Sequence, residues 1–147
     1  MPLILLDLDD TLIEPDGIPR LKPEAGHVLR ALSEMGHTMV LFSHNSEGAR
    51  LAKACGIYDY FAYVSADCWE QFSKETNLQH VRRRFPDVGV GDMVLFDDTR
   101  CMVEWFREKG GSGVTVDHVT GVRVEHLLRM GLLSWHPVFG YALNPFD

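Results

Sequence analysis

Five short strand-like runs punctuate this chain: Leu3–Leu6, Thr38–Phe42, Tyr60–Val64, Met93–Phe96 and Val114–Val116. Between them the apolar residues change period. Ala25, Val28, Leu29, Leu32 and Met35 fall at the i, i+3, i+4, i+7 spacing of one helix face, with Pro23 in the expected first turn and Gly36 just past the end. A second helix is expected around Glu47–Cys55, closed by Gly56. Leu78, Val81 and Phe85 stripe a third, and Met102, Val103 and Phe106 a fourth that Gly110 and Gly111 break. Val124, Leu127 and Leu128 mark a fifth. The runs are continuously apolar, as strands buried on both faces must be, and not alternating as in a half-exposed sheet. The pattern predicts an α/β fold: a three-layer α/β/α, Rossmann-like arrangement around a central five-stranded parallel sheet.

The 147 residues suffice for one domain with a real core, and a single domain over 1–147 is expected, with no internal repeat or linker. A formal charge of −7 disfavours unspecific adhesion to nucleic acid or to an anionic membrane, both of which need a basic surface. Arg82-Arg83-Arg84 is the one basic run, a solvated helix face or an anion-binding patch. Cys55, Cys68 and Cys101 are odd in number and form no CxxC pair, so reduced thiols are expected. No apolar run approaches the roughly 18 residues of a membrane span, and no secretory signal is recognisable. A cytoplasmic protein is the default expectation.

In a parallel sheet, ligands bind outside the carboxyl ends of the strands, so the residues just past each run are informative. Asp7-Leu8-Asp9-Asp10-Thr11 comes after the first, Ser43-His44-Asn45-Ser46 after the second and Asp97-Asp98-Thr99-Arg100 after the fourth; Lys74 begins the helix before the fourth. Parallel strands would gather these groups on one edge. Carboxylates crowded in this way repel or take up protons unless a cation lies among them. An all-oxygen donor set suits a hard ion, Mg²⁺ best where waters complete an octahedron.

Asp7–Thr11, DLDDT, resembles the DxDx(T/V) signature of the haloacid dehalogenase superfamily of phosphohydrolases. Ser43 after the second strand, Lys74, and Asp97-Asp98 after the fourth supply its other motifs in order. The resemblance runs from Leu3 to about Met130. It implies that superfamily's core without a large cap domain. Within it, the chain is most similar to the magnesium-dependent phosphatase family, which has a capless core, a Ser-Lys pair like Ser73-Lys74 and a Phe-Asp-Asp like Phe96–Asp98. Two departures stand out. His44 occupies the place of that family's substrate-gripping arginine, and the stretch Ile13–Leu21 is shorter than its flap.

The resemblance implies a Mg²⁺-dependent phosphomonoesterase with an aspartyl-phosphate intermediate. Asp7 would be the nucleophile, and Asp9 the acid that protonates the leaving oxygen and then the base for water; for the first task it must hold a proton at working pH. Ser43, His44 and Lys74 would hold the phosphoryl group. Asp7, Asp98, Asp97 and the backbone carbonyl of Asp9 would face the metal, Asp97 as a ligand or a partner of one. An open site admits a phosphoprotein or a small phosphorylated metabolite. The rival readings are a weak or inactive binding protein of the same fold, a nucleic-acid 3′-phosphatase, which the acidic balance disfavours, and a phosphoryl transferase, which the expected absence of a water-excluding cap disfavours.

Ordinary roles compete for several of these residues. Asp10 would be a loop or capping residue, and Thr11 a hydroxyl that bonds the loop. Asn45 and Ser46 read as helix caps, His44 as substrate contact or loop, and Lys53 as the only substitute for Lys74. The remaining histidines, His27, His37, His80, His118, His126 and His136, show no zinc-ligand spacing. The aromatic tail Leu132–Phe146 should pack back on the domain or meet a partner. Oligomeric state is left open.

Overall fold

The computed structural model describes residues 2–16, 18–66, 74–136 and 140–143. Strands β1 (Leu3–Leu6), β2 (Met39–Phe42), β3 (Tyr63–Ser65), β4 (Met93–Asp97) and β5 (Ser112–Thr115) form one all-parallel sheet in the order β3-β2-β1-β4-β5. Helices α1 (Ala25–Glu34), α2 (Gly48–Ala54), α3 (Lys74–Arg84), α4 (Arg100–Glu108) and α5 (Val124–Arg129) alternate with the strands.

Strand pleating explains why the central runs are apolar throughout, because successive side chains enter different cores. Ile4 and Leu6 of β1, Met39 and Leu41 of β2, and Val94 and Phe96 of β4 join a cluster with Val28, Leu29 and Leu32 of α1, Leu51 of α2 and Leu127 of α5. Their neighbours Leu3, Leu5, Val40, Phe42, Met93 and Leu95 join a separate cluster with Leu78 and Val81 of α3 and Phe106 of α4. Three layers result, as the sequence predicts. Truncating a fully buried Leu such as Leu5 should cost about 2–5 kcal/mol.

Some boundaries differ from the sequence reading. The run Tyr60–Val64 splits into a 3₁₀ turn, Tyr58–Tyr60, and β3. β5 starts at Ser112, two residues before the predicted run, because Gly113 pairs with Leu95 where a Cβ would lie 3.0 Å from Val103 Cγ1. The close approach of α4 needs glycine there, and its low hydrophobicity hides the strand. Pro23 precedes the cap residue Glu24 instead of entering the first turn, and Phe85 lies just beyond α3.

Downstream of α5, β6 (Leu133–His136) and β7 (Gly140–Leu143) form an antiparallel hairpin that the sequence does not suggest. Leu132 and Leu133 are buried in the α1/α5 cluster; Phe139 and Phe146 of the aromatic tail lie outside the described residues. The connection between β1 and α1 is far shorter than the roughly 40 residues an independent domain needs, and no cap domain is present among the described residues. Among the described residues no helix is long and apolar enough to cross a membrane.

Candidate active site

The chain crosses from β3 back to β4 on the other side of β1, so strand order reverses beside β1, where an open α/β sheet forms its crevice. Asp7 stands at that edge. Its N–H donates to the Phe96 carbonyl at 3.0 Å, extending the β1–β4 ladder by one residue. The chain then tightens into a helical turn, in which Leu12 and Ile13 both donate to the Leu8 carbonyl, and Asp10 takes the left-handed conformation at φ 62°. Beyond it lies a short hairpin, with the Glu14 N–H on the Arg20 carbonyl and an antiparallel bridge between Ile13 and Leu21.

Lys22 ties this hairpin down. Its buried ammonium lies 2.9 Å from Glu14 Oε2 and 3.4 Å from Asp10 Oδ1, and donates to the carbonyls of His118 and Val119 at 2.8 and 3.2 Å. The Val122 N–H reaches the Thr11 carbonyl at 2.8 Å. Gly121, at φ 70°, permits this approach, since a Cβ there would sit 2.5 Å from that same oxygen. The loop carrying Asp7 and Asp9 is thereby clamped to the segment after β5.

Lys74, at the start of α3, is buried among groups from three strand ends: Asp7 Oδ1 at 3.2 Å, Asp97 Oδ2 at 3.4 Å and the Phe42 carbonyl at 2.8 Å. The Thr11 hydroxyl donates to Asp7 Oδ2 at 3.3 Å, so it holds the carboxylate and not the loop. Asp97 Oδ1 accepts the Thr99 N–H at 2.9 Å, while Asp97 Oδ2 is buried without a hydrogen bond. Asp7, Asp97 and Asp98 each present a carboxylate oxygen within 4.8 Å of the others. Burial drives the Asp7 carboxyl well above the usual carboxylate range; Lys74 opposes this and Asp97 adds to it. Burial also raises Asp98, with the charge of Asp97 contributing. Three carboxylates thus face one ammonium, with one buried oxygen unsatisfied. That donor set fits a hard divalent cation, which would replace the protons the cluster otherwise gathers.

Ser43 is buried at the end of β2. Its N–H bonds the Ser65 carbonyl at 3.0 Å, its carbonyl accepts from Asn77 Nδ2 at 2.9 Å, and its Oγ accepts the Asn45 N–H at 3.0 Å. The hydroxyl proton is therefore available to a ligand. His44 is exposed on the rim; partial desolvation, aided by Lys74, keeps its imidazole below the ordinary histidine range.

Asp7, Asp9, Ser43, His44, Lys74 and Asp97 line one cavity of about 130 Å³, together with Asn45, Thr99 and Met102. Asp98 joins through the carboxylate cluster. The Asp9 carboxylate is outside that cluster and accepts from Asn45 Nδ2 at 3.0 Å. Ser73 and Cys68 lie outside the described residues. Lys53, the alternative to Lys74, lies over the Tyr58 ring at 4.6 Å. Arg82–Arg84 occupy the far end of α3, about 15 Å along the helix from Lys74; they do not border the cavity.

Four contributors escape a reading of the sequence. Asn77 leaves a signal, because it falls three positions after Lys74 on the same helix face. Thr11 reads as a loop hydroxyl, Asn45 as a cap, and Lys22 carries no signal.

No protein-family model matches the sequence, and no curated protein is similar to it in sequence. Solved structures are similar in fold. A haloacid dehalogenase phosphatase from Thermococcus onnurineus superposes with a TM-score of 0.72 at 14% identity, covering 90% of this chain and 98% of that one. A haloacid dehalogenase-like family hydrolase from Streptococcus pneumoniae gives 0.68 at 14%, covering 88% and 90%. The N-terminal part of a Bacteroides fragilis protein, containing a phosphatase domain complexed with Mg, gives 0.72 at 20%, covering 89% of this chain and 40% of that one. The chain has the haloacid dehalogenase fold. Within that fold the cavity occupies the carboxyl edge of the sheet, between β1 and its neighbours β2 and β4.

Proposed function

We propose that this chain is a Mg²⁺-dependent phosphomonoesterase acting through an aspartyl-phosphate on Asp7, as its resemblance to the magnesium-dependent phosphatases implies. The observation that carries the reading is the meeting of Asp7, Ser43, Lys74 and Asp97 around one small cavity, on a fold shared with proteins described as phosphatases.

Asp7 attacks phosphorus, forming a new O–P bond as the ester P–O bond breaks, and Asp9 gives its proton to the departing oxygen. Water then attacks the phosphorus of the aspartyl-phosphate; Asp9 takes its proton, and the Asp7 carboxylate leaves. The Thr11 hydroxyl and Lys74 ammonium hold the two oxygens of Asp7 apart in role, one hydrogen-bonded and one paired with a cation. Repulsion between a carboxylate and a phosphoryl charge at 4 Å is about 4 kcal/mol per unit pair near a protein surface. Lys74 offsets part of that, and the Ser43 hydroxyl supplies a neutral donor. Asp7, Asp98, Asp97 and the Asp9 carbonyl would hold Mg²⁺, which supplies Lewis-acid neutralisation of phosphoryl oxygens.

A cavity of about 130 Å³ takes a phosphoryl group and leaves the rest of the ester outside. With no cap domain over it among the described residues, the accessible phosphate of a protein or a small metabolite is the substrate class this favours. Hydrolysis of p-nitrophenyl phosphate should require Mg²⁺, stop with EDTA and vanish in Asp7→Asn. Activity that survives both treatments overturns the reading.

A further inference from the structure

Asn45 stands two residues before Glu47, the cap of α2, and makes one contact that the turn into that helix does not need. Its N–H donates to Ser43 Oγ at 3.0 Å, its carbonyl accepts the Gly48 N–H at 2.9 Å, and its Oδ1 accepts the Glu47 N–H at 2.9 Å. These three bonds complete the turn into α2 and leave the side-chain NH₂ without a local task. That NH₂ reaches Asp9 Oδ2 at 3.0 Å, across 36 positions of sequence. The amide cannot be turned over: Oδ1 must face the Glu47 N–H, so the donor must face the carboxylate.

We infer that Asn45 is a positioning residue for Asp9, fixing its carboxyl group and directing the transferable proton to Oδ1. Of the two oxygens of a carboxylic acid the carbonyl oxygen is the better acceptor, so an N–H on one oxygen favours the proton on the other. Oδ2 is so engaged, which leaves Oδ1 to carry the proton to the leaving oxygen. The same bond removes rotamers of Asp9 in which Oδ1 points elsewhere, and misplacement of a catalytic group is costly. This rests on the phosphomonoesterase reading, in which Asp9 is the acid.

The test separates esters by their need for that proton. β-Glycerophosphate must expel an alkoxide that needs protonation; p-nitrophenyl phosphate expels a phenolate that does not. kcat/KM reports only steps up to formation of the aspartyl-phosphate, so the later use of Asp9 as a base does not enter. Asn45→Asp keeps an oxygen for the Glu47 N–H but sets an acceptor against Asp9; its added charge affects both esters alike and cancels in their ratio. Asn45→Ala removes the donor without adding charge. In both variants, with folding checked by thermal melting, the ratio of kcat/KM for β-glycerophosphate to that for p-nitrophenyl phosphate should fall about 10²-fold, the lower range of what a positioned acid contributes. Equal losses on both esters, or none on either, overturn the inference while leaving the phosphatase reading standing. A wild-type protein inactive on both esters in Mg²⁺ overturns the two together.

Discussion

Lys74 Nζ lies 3.4 Å from Asp97 Oδ2, a carboxylate oxygen that is buried and accepts no hydrogen bond. The ammonium is the only cation the fold itself supplies to this oxygen among the described residues, and it is shared with Asp7 at 3.2 Å. Removing it should therefore cost more than one ordinary ion pair. Lys74→Met should lower the unfolding free energy by about 3–5 kcal/mol, the cost of leaving buried charge uncompensated. Urea unfolding without metal checks this; a loss below about 1 kcal/mol, the value of a surface pair, would mean that the cluster neutralises itself by protonation alone.

The carboxylate cluster makes a second prediction. A cation bound only by the folded chain raises its stability by about 2.7 kcal/mol at a hundredfold excess over Kd. Mg²⁺ should thus raise the melting temperature of the wild type, and Asp98→Asn should largely abolish the rise. An equal rise in the variant would show that the cation binds somewhere else.

Lys22 and Gly121 act on one clamp, and their substitutions should not add. Lys22→Met leaves Glu14, Asp10 and two backbone carbonyls without their cation, a loss of about 1–3 kcal/mol because solvent reaches both carboxylates. Gly121→Ala forces a Cβ to within 2.5 Å of both the Thr11 carbonyl and Lys22 Cγ, at a φ that disfavours alanine. Each should destabilise, and the double variant should lose measurably less than the sum, since opening the clamp once relieves both. Denaturant midpoints of the three proteins decide it; strict additivity would mean that the two sites are independent.

Stability should also depend on pH in two separable windows. His126 Nδ1 accepts the Arg123 N–H at 2.9 Å, a bond only the unprotonated nitrogen can make. Burial holds its pKa below the ordinary value; Arg129 and Arg123 act the same way, while Glu125 and Glu24 oppose them. The unfolded chain then binds the proton first, so stability falls as pH drops below about 6.5 and levels off once the folded form protonates too. Glu24 is held low by the Arg123 guanidinium and the Val124 N–H, against some burial. Its contribution is present above the unfolded value, about 4.3, and is lost as pH falls through the folded one. Unfolding free energies measured against pH should lose part of the upper slope in His126→Gln and part of the lower slope in Glu24→Gln. An unchanged profile in either variant would remove that group from the account.

Much of the architecture is legible in the sequence because burial on both faces leaves a direct mark: Leu3–Leu6 and Met93–Phe96 can be apolar at every position only if both sides of the sheet are covered. β5 is less legible, since a strand that needs Gly113 for close helix packing cannot also announce itself by hydrophobicity. The β6–β7 hairpin is hidden because its aromatic residues suggest a docked tail. At the site, residue types at strand ends point to Asp7, Asp9, Ser43, Lys74, Asp97 and Asp98 as neighbours. Nothing local could reveal that Asn45 turns its spare donor toward Asp9, or that Lys22 reaches the carbonyls of His118 and Val119.

By itself, then, the sequence determined the layer pattern and which carboxylates crowd one edge of the sheet, because hydrophobic period and strand-end position are local properties that parallel pairing converts directly into space. Tertiary structure alone decided which oxygens are buried, which are partnered and which side chain holds which. Those depend on contacts between segments far apart in the chain, such as Asn45 with Asp9 and Lys22 with the loop after β5, and hydrogen-bond geometry at that range leaves no periodicity to read.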